Sequence, residues 1–96
     1  MFKLTAVVLV LSFSGLALAQ QAAPIRIGVV GPFSGKSSTD MGESIRGGAR
    51  VFAEEVNRLG GVLGRNIELV ERDDQASPEV GVKMARELID KERVVA

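Results

Sequence analysis

The sequence predicts an α/β fold, the β-α-β-α-β start of an open parallel sheet. Residues 25–30 are rich in β-branched apolar side chains, and Gly31-Pro32 stops them. Residues 41–59 place apolar side chains at helical spacing. A second strand-like run (66–72) and a second helical run after Ser77 repeat the alternation. Strands alternating with helices specify a parallel sheet with right-handed crossovers.

Residues 1–19 read as a secretory signal. Lys3 gives a positive start, residues 4–13 are apolar apart from Thr5 and Ser12, and Ala17 and Ala19 supply small residues at the two positions a signal peptidase inspects. Cleavage after Ala19 is expected, with the mature chain starting at Gln20. The apolar stretch is shorter than the roughly 20 residues a membrane-spanning helix needs, and serines interrupt it. With no cysteine in the chain, attachment through a lipid-modified cysteine is excluded. A soluble periplasmic protein is therefore expected.

Residues 20–24 are a polar lead-in ending at Pro24. In the first strand Ile25, Ile27 and Val29 share one face and Gly28 and Val30 the other, so both faces are apolar after Arg26, as in a strand inside a parallel sheet. Asp40 and Glu43 have the spacing of a capping box, which sets the start of the first helix near Met41. Met41, Ile45, Ala49, Phe52, Ala53, Val56 and Leu59 form its apolar stripe. Glu43, Arg46, Arg50, Glu54, Asn57 and Arg58 fall mainly on the other side. Gly47-Gly48 costs on the order of 1 kcal/mol per glycine relative to alanine, so a close backbone approach, most simply to the sheet, is expected there.

Gly60-Gly61 supplies a left-handed stop, and Gly64-Arg65 a turn. The second strand alternates Ile67 and Leu69 against Glu68 and Arg72, the pattern of a half-buried edge strand. Ser77, Pro78 and Glu79 open the second helix as cap, first helical residue and dipole partner. Val82, Ala85, Leu88 and Ile89 are its expected buried stripe. Lys91-Glu92 ends it, and residues 93–96 begin a third strand.

Composition narrows the function. Removal of the signal leaves 77 residues with 11 positive and 12 negative side chains, a net charge of −1. No basic cluster suits a nucleic acid, and no polybasic or amphipathic stretch suits a membrane surface. With neither His nor Cys, imidazole and thiolate metal sites and Cys or Ser/His/Asp nucleophiles are excluded; a metal would need oxygen ligands. No cofactor is expected. Gly28, Gly31 and Gly35 miss the G-x-G-x-x-G spacing, and Val30 stands where a P-loop requires glycine. Asp73-Asp74 follows the second strand, whereas the acidic pair of a receiver domain follows the first. It reads most simply as a strand end whose carboxylates bond nearby backbone. The loop from Pro32 to Gly35 leaves the carboxyl end of a buried strand and leads to a helix N-terminus, where open α/β sheets place ligands and free N–H groups attract carboxylates.

Residues 25–35, Met41-Gly42, residues 57–65, residues 67–70 and Asp73-Asp74, taken in order, resemble the start of the leucine/isoleucine/valine-binding type of periplasmic solute receptor. The resemblance covers residues 25–96 and implies the type I periplasmic binding protein fold, two α/β lobes closing on a ligand, here represented by an incomplete first lobe. It implies strand order 2-1-3-4-5, which agrees with strand two being an edge. It also implies a non-catalytic substrate-binding component of an ABC importer, with a small-molecule ligand such as an amino acid and an inner-membrane permease as partners. Phe33, Ser34 and Met41 fall where the family has site-lining positions. Met41 replaces an aromatic and offers an adaptable apolar contact.

Two other readings start from the same elements. One is an exported nucleotide- or cofactor-binding enzyme domain, which calls for a phosphate-cradling glycine pattern or an acid-base pair. The other is a truncated product that binds no ligand. A half-built sheet exposes an apolar edge, so marginal folding, aggregation or proteolysis is expected of the mature chain alone.

Overall fold

The computed structural model describes residues 22–35 and 37–96. The expected signal of residues 1–19, with Ala17 and Ala19, lies outside the described residues, as do Gln20, Gln21 and Lys36. The order is β1 (Ile25–Gly31), α1 (Thr39–Arg58), β2 (Ile67–Asp73) and α2 (Pro78–Asp90). β1 and β2 pair in parallel and in register, from Ile25 beside Ile67 to Gly31 beside Asp73.

The third strand is present only as two ladder bonds. Val95 N–H donates to the Arg26 carbonyl (2.9 Å), and Gly28 N–H donates to the Ala96 carbonyl (2.8 Å). Ile25 N–H instead donates toward β2, to Asn66 (2.8 Å). Peptide groups alternate along a strand, so residues 95 and 96 lie on the side of β1 away from β2. β1 is therefore interior, and β2 is the edge, as expected.

The helices cover opposite faces. Leu88 of α2 is 3% exposed and packs over Gly28, where an added Cβ would come within 2.9 Å of the leucine Cδ1. Ala53 of α1 is buried, as are Ile67 and Val70 on opposite faces of β2. Ser77 caps α2 as expected, its hydroxyl accepting from Val80 N–H, with Pro78 at the first helical position. Gly60 and Gly61 adopt φ of 108° and 80°, and Gly61 N–H returns to the Val56 carbonyl at 2.9 Å, closing α1.

Several expectations are corrected. α1 starts at Thr39, two residues before Met41, and the Asp40–Glu43 capping box does not form: Ser38 occupies the cap position with φ of 65° and makes no side-chain cap bond. Gly47 and Gly48 approach nothing, since a Cβ at either would find no atom within 4 Å. The buried stripes are narrower than expected. Ala53 and Leu88 are buried as expected, and Gly42 joins them, but Met41, Ile45, Phe52, Leu59, Val82, Ala85 and Ile89 are exposed. Small residues let a helix approach the sheet closely, and a pair of strands is too narrow to cover the large apolar side chains beside that line of contact.

Candidate functional site

The carboxyl end of β1 runs into residues 32–34, and the chain then turns up into α1. Because the two strands are in register, Asp73 at the end of β2 stands beside Gly31, and its carboxylate reaches across to that loop. Asp73 Oδ1 accepts from Phe33 N–H (2.9 Å), Ser34 N–H (3.3 Å) and Gln75 N–H (2.9 Å). Its Oδ2 accepts from the Ser34 hydroxyl. The Ser34 hydroxyl, then the Gln75 amide, hold the Asp73 carboxyl below the usual carboxylate range, and the Phe33 and Ser34 amides add to the effect. Asp74 N–H donates to the Gly31 carbonyl (2.9 Å), and Asp74 Oδ1 accepts from Ala76 N–H (2.8 Å). Gln75 and Ala76 have φ of 54° and 55°, and these two carboxylates hold that turn.

The other side of the loop rests on α1. Gly42 lies against Pro32 so closely that a Cβ there would enter the contact shell of the Pro32 carbonyl, and it would also meet the Phe33 ring at 3.3 Å. Gly31 leaves room for the same ring. The Arg46 guanidinium carbon lies 4.1 Å from the Phe33 ring centroid, a cation–π contact. Arg46 is in turn flanked by Glu43 and Glu71, each 3.4 Å from one of its nitrogens.

The three residues singled out from the sequence thus sit as follows. Phe33 is half-buried between β1 and α1. Ser34 is exposed at the strand end with its donors turned to Asp73. Met41 is 62% exposed on the first turn of α1, next to Gly42. Sequence reasoning missed two participants, Asp73 as a partner of the loop and Arg46 as the cover on Phe33. The first was recoverable by counting: equal steps along β1 from Ile25 and along β2 from Ile67 end at Gly31 and Asp73 side by side. A shallow groove lined by Ala22, Pro24, Gly64 and Asn66 lies at the opposite, amino end of the strands. Open parallel sheets bind ligands at the carboxyl ends, which favours the loop over that groove.

A profile of the periplasmic binding protein family matches residues 24–96. The chain belongs to the periplasmic binding protein family. An amino acid binding protein of Pseudomonas aeruginosa is 38% identical over 74 residues, covering 77% of this chain and 20% of that protein. Among solved structures, the branched-chain amino acid transporter substrate binding protein LivJ from Streptococcus pneumoniae, in complex with isoleucine, superposes with a TM-score of 0.71. It is 28% identical over 74% of this chain and 20% of its own length. A fatty acid ABC transporter substrate-binding protein from Thermomonospora curvata gives a TM-score of 0.65 at 36% identity, over 69% of this chain and 17% of its own. This periplasmic binding protein chain therefore spans about a fifth of the length of the relatives it matches, and its architecture is that of the first, incomplete α/β lobe of the type I fold.

Proposed function

We propose that this chain forms part of the ligand cleft of an ABC importer's substrate-binding protein for branched-chain or related amino acids, with the loop at Phe33 and Ser34 and the side chain of Met41 lining that cleft. The observation that carries the reading is the position of the loop. It leaves the carboxyl end of the interior strand β1, between the edge strand β2 on one side and residues 95 and 96 on the other. That is the topological switch point at which open parallel sheets take ligands. The protein is a carrier without catalytic chemistry. It is exported through the signal of residues 1–19, is cleaved after Ala19, works in the periplasm and hands its ligand to an inner-membrane permease. It has no nucleic-acid partner.

A fatty acid ABC transporter substrate-binding protein and an isoleucine-bound receptor both resemble this segment, so the test sets amino acids against fatty acids. The test is to purify the protein from the host periplasm, determine its intact mass and N-terminus, and record thermal shifts with L-leucine, L-isoleucine, L-valine and medium-chain fatty acids. An N-terminus at Gln20 and a rise in Tm with aliphatic amino acids are expected. A rise with fatty acids alone would reject the amino-acid assignment, and no rise with any of them would reject ligand capture of this class.

A further inference from the structure

We propose that Asp73 is a positioning residue for the ligand cleft, consuming the donors of Phe33 and Ser34 and so fixing the loop as a shaped wall instead of an anion-binding turn. The inference rests on the reading that this loop lines the cleft.

An ionised carboxylate offers about four lone-pair sites. Asp73 receives two amides and one hydroxyl from the loop and one amide from its own turn, three of them on Oδ1, so Oδ1 is fully used within the chain and Oδ2 keeps a single open site. The consequence runs both ways. Asp73 has little left with which to hold a ligand ammonium, and the loop has no amide at position 33 or 34 free for a ligand carboxylate. What the loop can offer is shape: the half-buried Phe33 ring, seated by Gly31 and Gly42 and covered by Arg46. The sequence-based expectation that free loop N–H groups attract a carboxylate is therefore not met at these two residues. The loop is gripped from both sides, its backbone by β2 through Asp73 and its ring by α1 through Gly42 and Arg46.

A residue of this kind acts on affinity through the fraction of molecules whose loop is already in place. The apparent Kd rises as that fraction falls, so a loop ordered a tenth of the time weakens binding about tenfold. The experiment uses the protein purified from the periplasm and compares wild type with Asp73→Ala, Asp73→Asn and Ser34→Ala. Three quantities are read: amide hydrogen exchange at Phe33 and Ser34, Kd for L-leucine and L-isoleucine by calorimetry well below Tm, and Tm itself.

Asp73→Ala is expected to speed exchange most at Ser34, since Phe33 N–H also donates to the Gly31 carbonyl (3.0 Å), and to weaken both ligands about tenfold. Asp73→Asn keeps an oxygen for the amides and is expected to stay within about threefold of wild type, a rescue that a ligand-binding charge would not show. Should Asp73→Ala fail to fold, Ser34→Ala carries the same test, with faster exchange at position 34 and a smaller loss of affinity. Faster exchange with unchanged Kd overturns the positioning role, and unchanged exchange overturns the clamp itself. If the wild type binds neither amino acid, the transport reading fails, and the exchange data still decide whether Asp73 holds the loop.

Discussion

Arg50 grips Glu71 with two parallel hydrogen bonds, Nε to Oε1 at 2.7 Å and Nη2 to Oε2 at 2.8 Å. The pair joins the middle of α1 to the edge strand β2. Glu71 also lies 3.4 Å from Arg46 Nε, a buried atom with no hydrogen-bond partner of its own. One carboxylate thus serves two guanidinium groups. Glu71→Gln is expected to destabilise the protein by about 1–2 kcal/mol, since it weakens the pair with Arg50 and leaves Arg46 with Glu43 as its one carboxylate neighbour. Arg50→Ala should cost less, because Glu71 remains free to turn to Arg46. Urea unfolding of both variants checks the ranking, and equal losses would show that Arg46 does not depend on Glu71.

Gly42 and Gly47 lie on one helix and are expected to respond oppositely to alanine. At Gly42 the new Cβ meets the Pro32 backbone carbonyl, which cannot rotate away, so α1 must shift from the loop. Gly42→Ala should cost about 1–3 kcal/mol and disturb Phe33. At Gly47 the Cβ meets nothing, and Gly47→Ala should stabilise by about 0.5–1 kcal/mol through helix propensity alone. Thermal melts of the two variants are the measurement, and a destabilised Gly47→Ala would reveal a contact beyond the described residues.

Asn57 of α1 makes a closed pair of bonds with the start of β2. Its Oδ1 accepts from Ile67 N–H at 2.7 Å, and its Nδ2 donates to the Ile67 carbonyl at 2.9 Å. Asn57→Ala strips both partners from a residue that is 7% exposed. A loss of about 1–3 kcal/mol is expected, with faster amide exchange at Ile67. Asn57→Asp keeps the acceptor for Ile67 N–H but turns the donor into an oxygen facing the Ile67 carbonyl, so it should not restore wild-type stability.

Four carboxylates give stability a defined response to acid. Hydrogen bonds from Arg50 to Glu71, from Ser34 to Asp73, from Arg26 to Glu92 and from Arg58 to Glu55 are the largest causes holding each below its ordinary value. A carboxyl with a depressed folded-state pKa stabilises fully above its unfolded value and loses that contribution as the pH falls through the folded one. Stability should therefore be flat near neutrality and decline below about pH 4 to 5, where unfolded carboxyls begin to bind protons. Unfolding free energy measured from pH 7 to pH 3 checks the sign. In Glu71→Gln the decline should be shallower.

Local signals carried much of the fold. Gly31-Pro32, Gly60-Gly61 and Ser77-Pro78 act within a few residues, and each ends or starts an element where expected. The contrast between an apolar β1 and an alternating β2 placed the edge correctly. Which side of each helix turns inward was less legible. Of the stripe running through Ile45, Phe52 and Ala53, only Ala53 is buried, while Gly42 packs on the loop at Pro32 and polar Arg46 and Asn57 turn toward the sheet edge. Apolar periodicity reports what a helix can bury, and the neighbours present decide what it does bury. The candidate loop was legible from its place after β1. The filling of its donors by Asp73, 39 and 40 residues away, required the strand register.

The Asn57 amide presents to Ile67 the same donor and acceptor that another strand would present, and Arg72 Nη1 similarly takes the Glu71 carbonyl at 2.9 Å. Both partners come from sequence nearby, ten residues upstream in one case and one residue on in the other. A chain emerging amino end first can therefore seal these points on its outer margin with what it has already delivered. The side of β1 facing residues 95 and 96 must wait for later sequence. The two sides of this sheet are thus closed by different means, side chains of nearby sequence on the outer margin of β2 and backbone of distant sequence beside β1.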